Sequence, residues 1–134
     1  MEKEIVETPT LAPAYAPYAP GVKVKKVGSM IFVSGVVPND VKGNILYKGD
    51  IRKQMKQVQK NLKVTLEAAG ATFNDVVKIN TYVLGEYMKE YVTKGVDIEY
   101  LGAFPTPAVT LVGVSSLAND GQLIESEVIA VTNK

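Results

Sequence analysis

The stretch that most constrains this chain is an unbroken helical stripe. Ile51, Met55, Val58, Leu62, Leu66 and Ala69 recur at three- and four-residue spacing. That spacing puts all six on one face of a helix predicted over 51–69. Asp50 stands at the N-cap position, and Gly70 follows where a left-handed residue ends a helix. A helix with one apolar face must lay it against a second layer. The next segment supplies that layer. Val76 to Leu84 is rich in β-branched residues, with Val77, Ile79, Thr81 and Val83 at alternate positions on one face of a strand.

The flanking segments extend this two-layer pattern. Residues 1–21 form a lead with prolines at 9, 13, 17 and 20, which excludes regular helix or central strand. Extended chain over the domain surface is expected there. Val22 to Val27 and Met30 to Gly35 read as two strands around Gly28-Ser29, a hairpin signal. Pro38-Asn39-Asp40 and Lys42-Gly43-Asn44 are turn chemistry before a short strand or loop at Ile45 to Tyr47. Thr72 to Asp75 reads as a small cap or turn. A second helix is expected from Glu86 to about Leu101, with Met88, Tyr91 and Val92 inward. Gly95 weakens it, and Pro105 and Pro107 stop it. Val109 to Val114 and Ile124 to Val131 are the last two strands, joined by Ala118-Asn119-Asp120-Gly121. The order predicts one α+β domain over 1–134, a mixed β-sheet with two helices packed on one face. If the other face of the sheet is also apolar, oligomerisation is one way to cover it.

Composition removes whole classes of chemistry. The chain has no histidine and no cysteine, which excludes a Ser-His-Asp triad, a thiol nucleophile and a His- or thiolate-based zinc site. No metal or organic cofactor is expected. Arg52 is the one arginine, so a guanidinium clamp on an anion comes from it or not at all. The net charge of +1 gives no global pull toward nucleic acid or membrane. No apolar run approaches the roughly 20 residues that span a bilayer. The start, Met1-Glu2-Lys3-Glu4, lacks a basic-then-apolar signal pattern. A cytoplasmic protein is expected.

Two sets of charged residues stand out. Glu125 and Glu127 alternate with Ile124, Ser126 and Val128, so both carboxylates share one face of the last strand. On an arbitrary strand such a face is usually solvated. Arg52, Lys56, Lys60 and Lys63 form a basic stripe on the outer face of the first helix, with Lys53 beside it. The stripe could meet phosphates, but no aromatic residue interleaves with it to stack bases. A solvated helix face is the better reading, and a nucleic-acid partner is not expected.

Several motifs, in order, resemble one known family. Phe104-Pro105-Thr106-Pro107-Ala108-Val109-Thr110-Leu111-Val112 is similar to a Pro-Ala-Arg-Ser/Thr-x-Val signature. Pro17-Tyr18 with Gly21 resembles a Gly-Pro-Tyr element in which Ala16 replaces the first glycine. Met30-Ile31-Phe32-Val33-Ser34-Gly35 resembles a hydrophobic-Ser-Gly strand. Asn61-Leu62-Lys63 with Leu66 to Ala71 and Asp75 to Lys78 resembles a helix-to-strand passage, and Glu125 to Val131 a last strand. Together they cover roughly 15–131 and are similar to the Rid family, the YjgF-like enamine/imine deaminases.

The resemblance implies a chorismate-mutase-like subunit in a homotrimer, with a small-molecule site at the subunit boundary. It implies that Tyr18 closes the pocket, that the Ser34-Gly35 backbone lines it, and that Glu125 positions the attacking water. Val109 falls where the family has the arginine that grips the substrate carboxylate. The implied activity is hydrolysis of a small imine or enamine, in the manner of a 2-iminobutanoate/2-iminopropanoate deaminase, with an altered anchor. The alternatives are a non-catalytic small-ligand-binding or regulatory trimer and an RNA-associated, endoribonuclease- or translation-inhibitor-like protein. One of Lys23, Lys25 and Lys26 could supply the missing anion contact.

Overall fold

The computed structural model of the chain describes residues 1–7, 9–10 and 17–134. Residues 8 and 11–16, part of the predicted extended lead, lie outside the described residues.

The helical stripe forms α1, Ile51–Ala68. Asp50 caps it by accepting a hydrogen bond from the Lys53 amide at 3.0 Å, and Gly70 sits at φ 78° just beyond its end. Ile51, Met55, Val58, Leu62 and Leu66 are buried along one side. Each such side chain contributes about 1.5–3 kcal/mol when taken from water. The alternating segment forms β4, Val76–Leu84. Thr72 builds a capping box with Asp75 on a single 3-10 turn, 73–75, that joins α1 to β4.

A four-stranded sheet has the order β3-β6-β4-β5, with β3 at Ser29–Val36, β5 at Ala108–Val114 and β6 at Ile124–Thr132. β6 runs antiparallel to both β3 and β4, whereas β4 and β5 are parallel. Parallel neighbours require a crossover connection, and the second helical segment provides it. That segment is two helices rather than one: α2, Gly85–Thr93, and α3, Val96–Leu101. Gly95 between them takes φ 70°, a left-handed conformation that glycine adopts freely and that ends the first helix. Among the described residues the sheet therefore carries three helices in place of the expected two. Tyr91 is buried and Met88 packs against the core, but Val92 turns outward.

The N-terminal region departs further from expectation. Residues Glu2–Val6 form a true strand, β1, paired antiparallel with β2, Gly21–Lys25, as a separate two-stranded ribbon. β2 does not form a hairpin with β3. Lys26 bends the chain at φ 54°, and the Gly28 amide donates to the Thr132 carbonyl at 2.9 Å, at the start of the β3–β6 ladder. Gly28 serves close approach rather than a turn, since a Cβ there would lie 2.3 Å from the Asn133 carbonyl carbon. The segment expected as a strand or loop at 45–47 makes only an isolated bridge between Asn39 and Ile45.

Among the described residues, no helix is long and apolar enough to cross a membrane.

Candidate functional site

The register of the sheet sorts the candidate residues onto its two faces. Ile79 opposes Val109 on one side and Val128 on the other. Ile79 is buried under the helices, so Val109 points into the helix layer. Tyr82 opposes Glu125 and, one residue out of phase with Thr81, faces away from the helices. Glu125 therefore lies on the open face of the sheet, opposite to Val109 and two strands from it.

Tyr18 and Val109 line one cavity of about 180 Å³ on the helix side of β5. Tyr18 reaches it because the Ala19 amide donates to the Pro107 carbonyl at 2.9 Å, which bridges the end of the lead to the start of β5. Leu111 completes this half-buried rim. The floor is buried and comes from Thr81 of β4, Tyr91 of α2, and Asp97 and Leu101 of α3. Asp97 is not among the candidates expected from sequence. It is 3 % exposed, and its Oδ1 accepts the Ile98 amide at 2.8 Å. The only available signal was an acid among the inward positions Val96, Tyr100 and Leu101. Beneath the floor, the Tyr100 hydroxyl donates to Ser126 Oγ at 2.7 Å, and the Ser126 and Thr81 hydroxyls lie 3.3 Å apart. Burial pushes the Tyr100 phenol far above its ordinary pKa and keeps it protonated.

The second group sits where β3 meets β6. Ser34 and Gly35 are exposed, and the register shifts between Val33 and Val36. The Glu125 side chain lies over Gly35, with Oε2 2.3 Å from where a Cβ would stand. Gln122 fixes the other oxygen, donating from Nε2 to Glu125 Oε1 at 3.0 Å. Glu125 thus has a set position and a half-exposed carboxylate that can order a water.

Glu127, on the same face, is bound differently. It accepts from the Tyr82 hydroxyl at 2.7 Å and from Asn80 Nδ2 at 3.2 Å. These bonds, Tyr82 first, hold its carboxyl below the ordinary carboxylate range. The same contact raises the Tyr82 phenol. Glu127 ties two strands together across the open face.

Several cations of the helix stripe and of β2 are engaged elsewhere. Arg52 binds the Glu99 carboxylate and donates to the Lys94 carbonyl at 2.7 Å. Lys56 lies 3.7 Å from Glu99, and Lys63 is 4.0 Å from Glu67. Lys25 pairs with Glu4 at 2.9 Å, Lys23 with the same carboxylate at 3.9 Å, and Lys26 with Glu2. None of the three lines the Tyr18 cavity. The reading in which one of them replaces the arginine finds no contact to support it. Among the described residues, no group of three or more carboxylates could hold a metal ion.

Comparison with known proteins gives a consistent picture. The sequence profile of the family described as Endoribonuclease L-PSP matches residues 9–132. A RutC family protein of Pyrococcus abyssi is 41% identical over 132 residues, covering 97% of this chain and 98% of that one. A protein of Dermatophagoides farinae named 2-iminobutanoate/2-iminopropanoate deaminase is 31% identical, covering 95% and 96%. Among solved structures, YyfB of Yersinia pestis, described as a protein of unknown function of the conserved Rid family, superposes with a TM-score of 0.82. It is 30% identical, covering 98% of this chain and 100% of that one.

Proposed function

The chain belongs to the Rid/YjgF family, and on that footing we propose that it hydrolyses a small imine or enamine at a site shared between subunits of a homotrimer. The observation that carries the reading is the seat of Glu125. A carboxylate laid across a glycine and steadied by a glutamine suits an oriented water better than it suits a structural bond. Glu127 beside it is already committed to Tyr82 and Asn80.

The chemistry asks little more of the protein. The carbon of a protonated imine is already electrophilic. A water held by Glu125 adds its oxygen to that carbon as the carboxylate takes a proton. The carbinolamine then collapses. Glu125 returns that proton to the nitrogen, the C–N bond breaks, and the hydroxyl proton passes to the Glu125 carboxylate and on to the departing ammonia, so ammonium and a carbonyl compound remain and Glu125 is a free carboxylate again. With no histidine or cysteine in the chain, Glu125 carries these proton transfers.

One subunit does not bring Glu125 to the Tyr18 cavity, because the two lie on opposite faces of the sheet. In the trimer we propose, Glu125 of one subunit faces the Tyr18–Val109 cavity of the next. Supporting this, the open face exposes Met30, Phe32 and Val112, an apolar surface that a second copy would cover.

The deciding experiment measures ammonia release from 2-imino acids generated in situ and from uncharged imines. Glu125→Gln keeps size and removes the base, so turnover is expected to vanish while the fold persists. Glu127→Gln is expected to retain most of the activity. Equal turnover in Glu125→Gln and the parent protein would sink the hydrolase reading. Ligand binding without turnover in either would leave a binding trimer, which the apolar Val109 position favours. The RNA-associated reading stands last, since Arg52 is already held by Glu99 and the Lys94 carbonyl.

A further inference from the structure

We propose that the cavity under Tyr18 selects a ligand carrying positive charge, a primary ammonium or a protonated iminium, with Asp97 as its counter-ion. Among the described residues that line the cavity, Asp97 is the only one with a formal charge. At 3 % exposed it is buried at the floor. Among the described residues no lysine or arginine forms a salt bridge with it. Lys94, just upstream in sequence, lies 3.9 Å from Glu90, and Arg52, which donates to the Lys94 carbonyl, binds Glu99.

A buried carboxylate without a cation is costly, and one amide does not fill its acceptor capacity. A carboxylate offers about four lone-pair sites, and among the described residues the Ile98 amide takes one of them. A ligand cation reaching the floor would offset the cost of burying that charge. The walls agree in sign. Tyr18 and Tyr91 contribute aromatic surface, which attracts cations rather than anions. Val109 offers a methyl-bearing wall where the family signature has a guanidinium. An acid on the floor and an apolar rim disfavour a ligand carboxylate twice over, by repulsion and by the lack of an anchor.

The proposal deepens the hydrolase reading by making its substrate a protonated imine without a carboxylate, but binding in the cavity does not depend on turnover. At about 180 Å³ the cavity holds roughly six water-sized groups at about 30 Å³ each. Butylammonium is therefore a fitting probe, with butyrate and butyramide as charge-reversed and neutral partners.

Calorimetric titration of the full-length protein with these three compounds tests it. Butylammonium is expected to bind about tenfold or more tighter than butyrate. Asp97→Asn is expected to weaken butylammonium about tenfold and to leave butyramide unchanged. Val109→Arg is expected to shift the preference toward butyrate. The parent protein alone decides the matter if Asp97→Asn fails to fold. Butyrate binding as well as butylammonium, or no binding of butylammonium, overturns the proposal, and so does a folded Asp97→Asn that binds it unchanged. Butylammonium bound without any imine turnover would retire the hydrolase reading and keep this one. Turnover without ammonium binding would do the reverse.

Discussion

At the scale of single residues, the placement of Glu125 rests on the absence of an atom. A Cβ at position 35 would stand 2.3 Å from Glu125 Oε2. Gly35→Ala therefore has to move the carboxylate, which is the mobile end of a side chain and can swing without disturbing the backbone. Thermal stability is expected to change little, while imine hydrolysis falls by about tenfold or more, because a displacement near 1 Å at a reacting group can cost about 10²-fold. A stability scan and an activity assay on the same sample check both halves, and unchanged activity would mean that Gly35 does not set the carboxylate. The alternation of the last strand placed Glu125 and Glu127 together. What separates their environments was not legible, because Tyr82 and Gln122 meet them only through cross-strand register and a local loop. Asp97 was hidden for a related reason: its burial is set by where α3 lands on the sheet, which no local pattern records.

At the scale of elements, the pieces that could be read were those that carry their own punctuation. α1 has a cap, a period and a terminal glycine, and β4 has strict alternation, so both appear where the pattern puts them. The one helix expected over 86–101 is two helices because Gly95 acts as a left-handed stop and not merely as a weak helix former. Gly28 carries a hairpin signal in sequence because a glycine needed for close approach looks the same there as one needed for a turn. Loops are held by side chains of α1 that periodicity counts only as core or surface. Gln54 is fully buried. It donates to the carbonyls of Leu46 at 3.0 Å and Gly121 at 2.8 Å, and accepts the Leu123 amide at 2.8 Å. Gln54→Leu leaves three backbone groups unpaired, each worth about 1–3 kcal/mol. A loss of about 3 kcal/mol or more is expected in urea unfolding, and a loss under about 1 kcal/mol would show that the two loops stand without it.

At the scale of the whole molecule, the helices cover only one face of the sheet. On the other, Phe32 is 70 % exposed beside Ile129, its cross-strand partner. Sedimentation is expected to give the mass of three chains, and Phe32→Lys is expected to break the assembly into monomers. A stable monomeric parent protein would end the shared-site proposal. The division of the candidate residues between opposite faces carries a further consequence, one of inheritance rather than chemistry. If each working site takes its carboxylate from one chain and its cavity from a neighbour, two inactive alleles damaged in different halves can rescue each other when co-expressed. A chain lacking the Glu125 carboxylate can still lend its cavity, and a chain with a ruined cavity can still lend its glutamate.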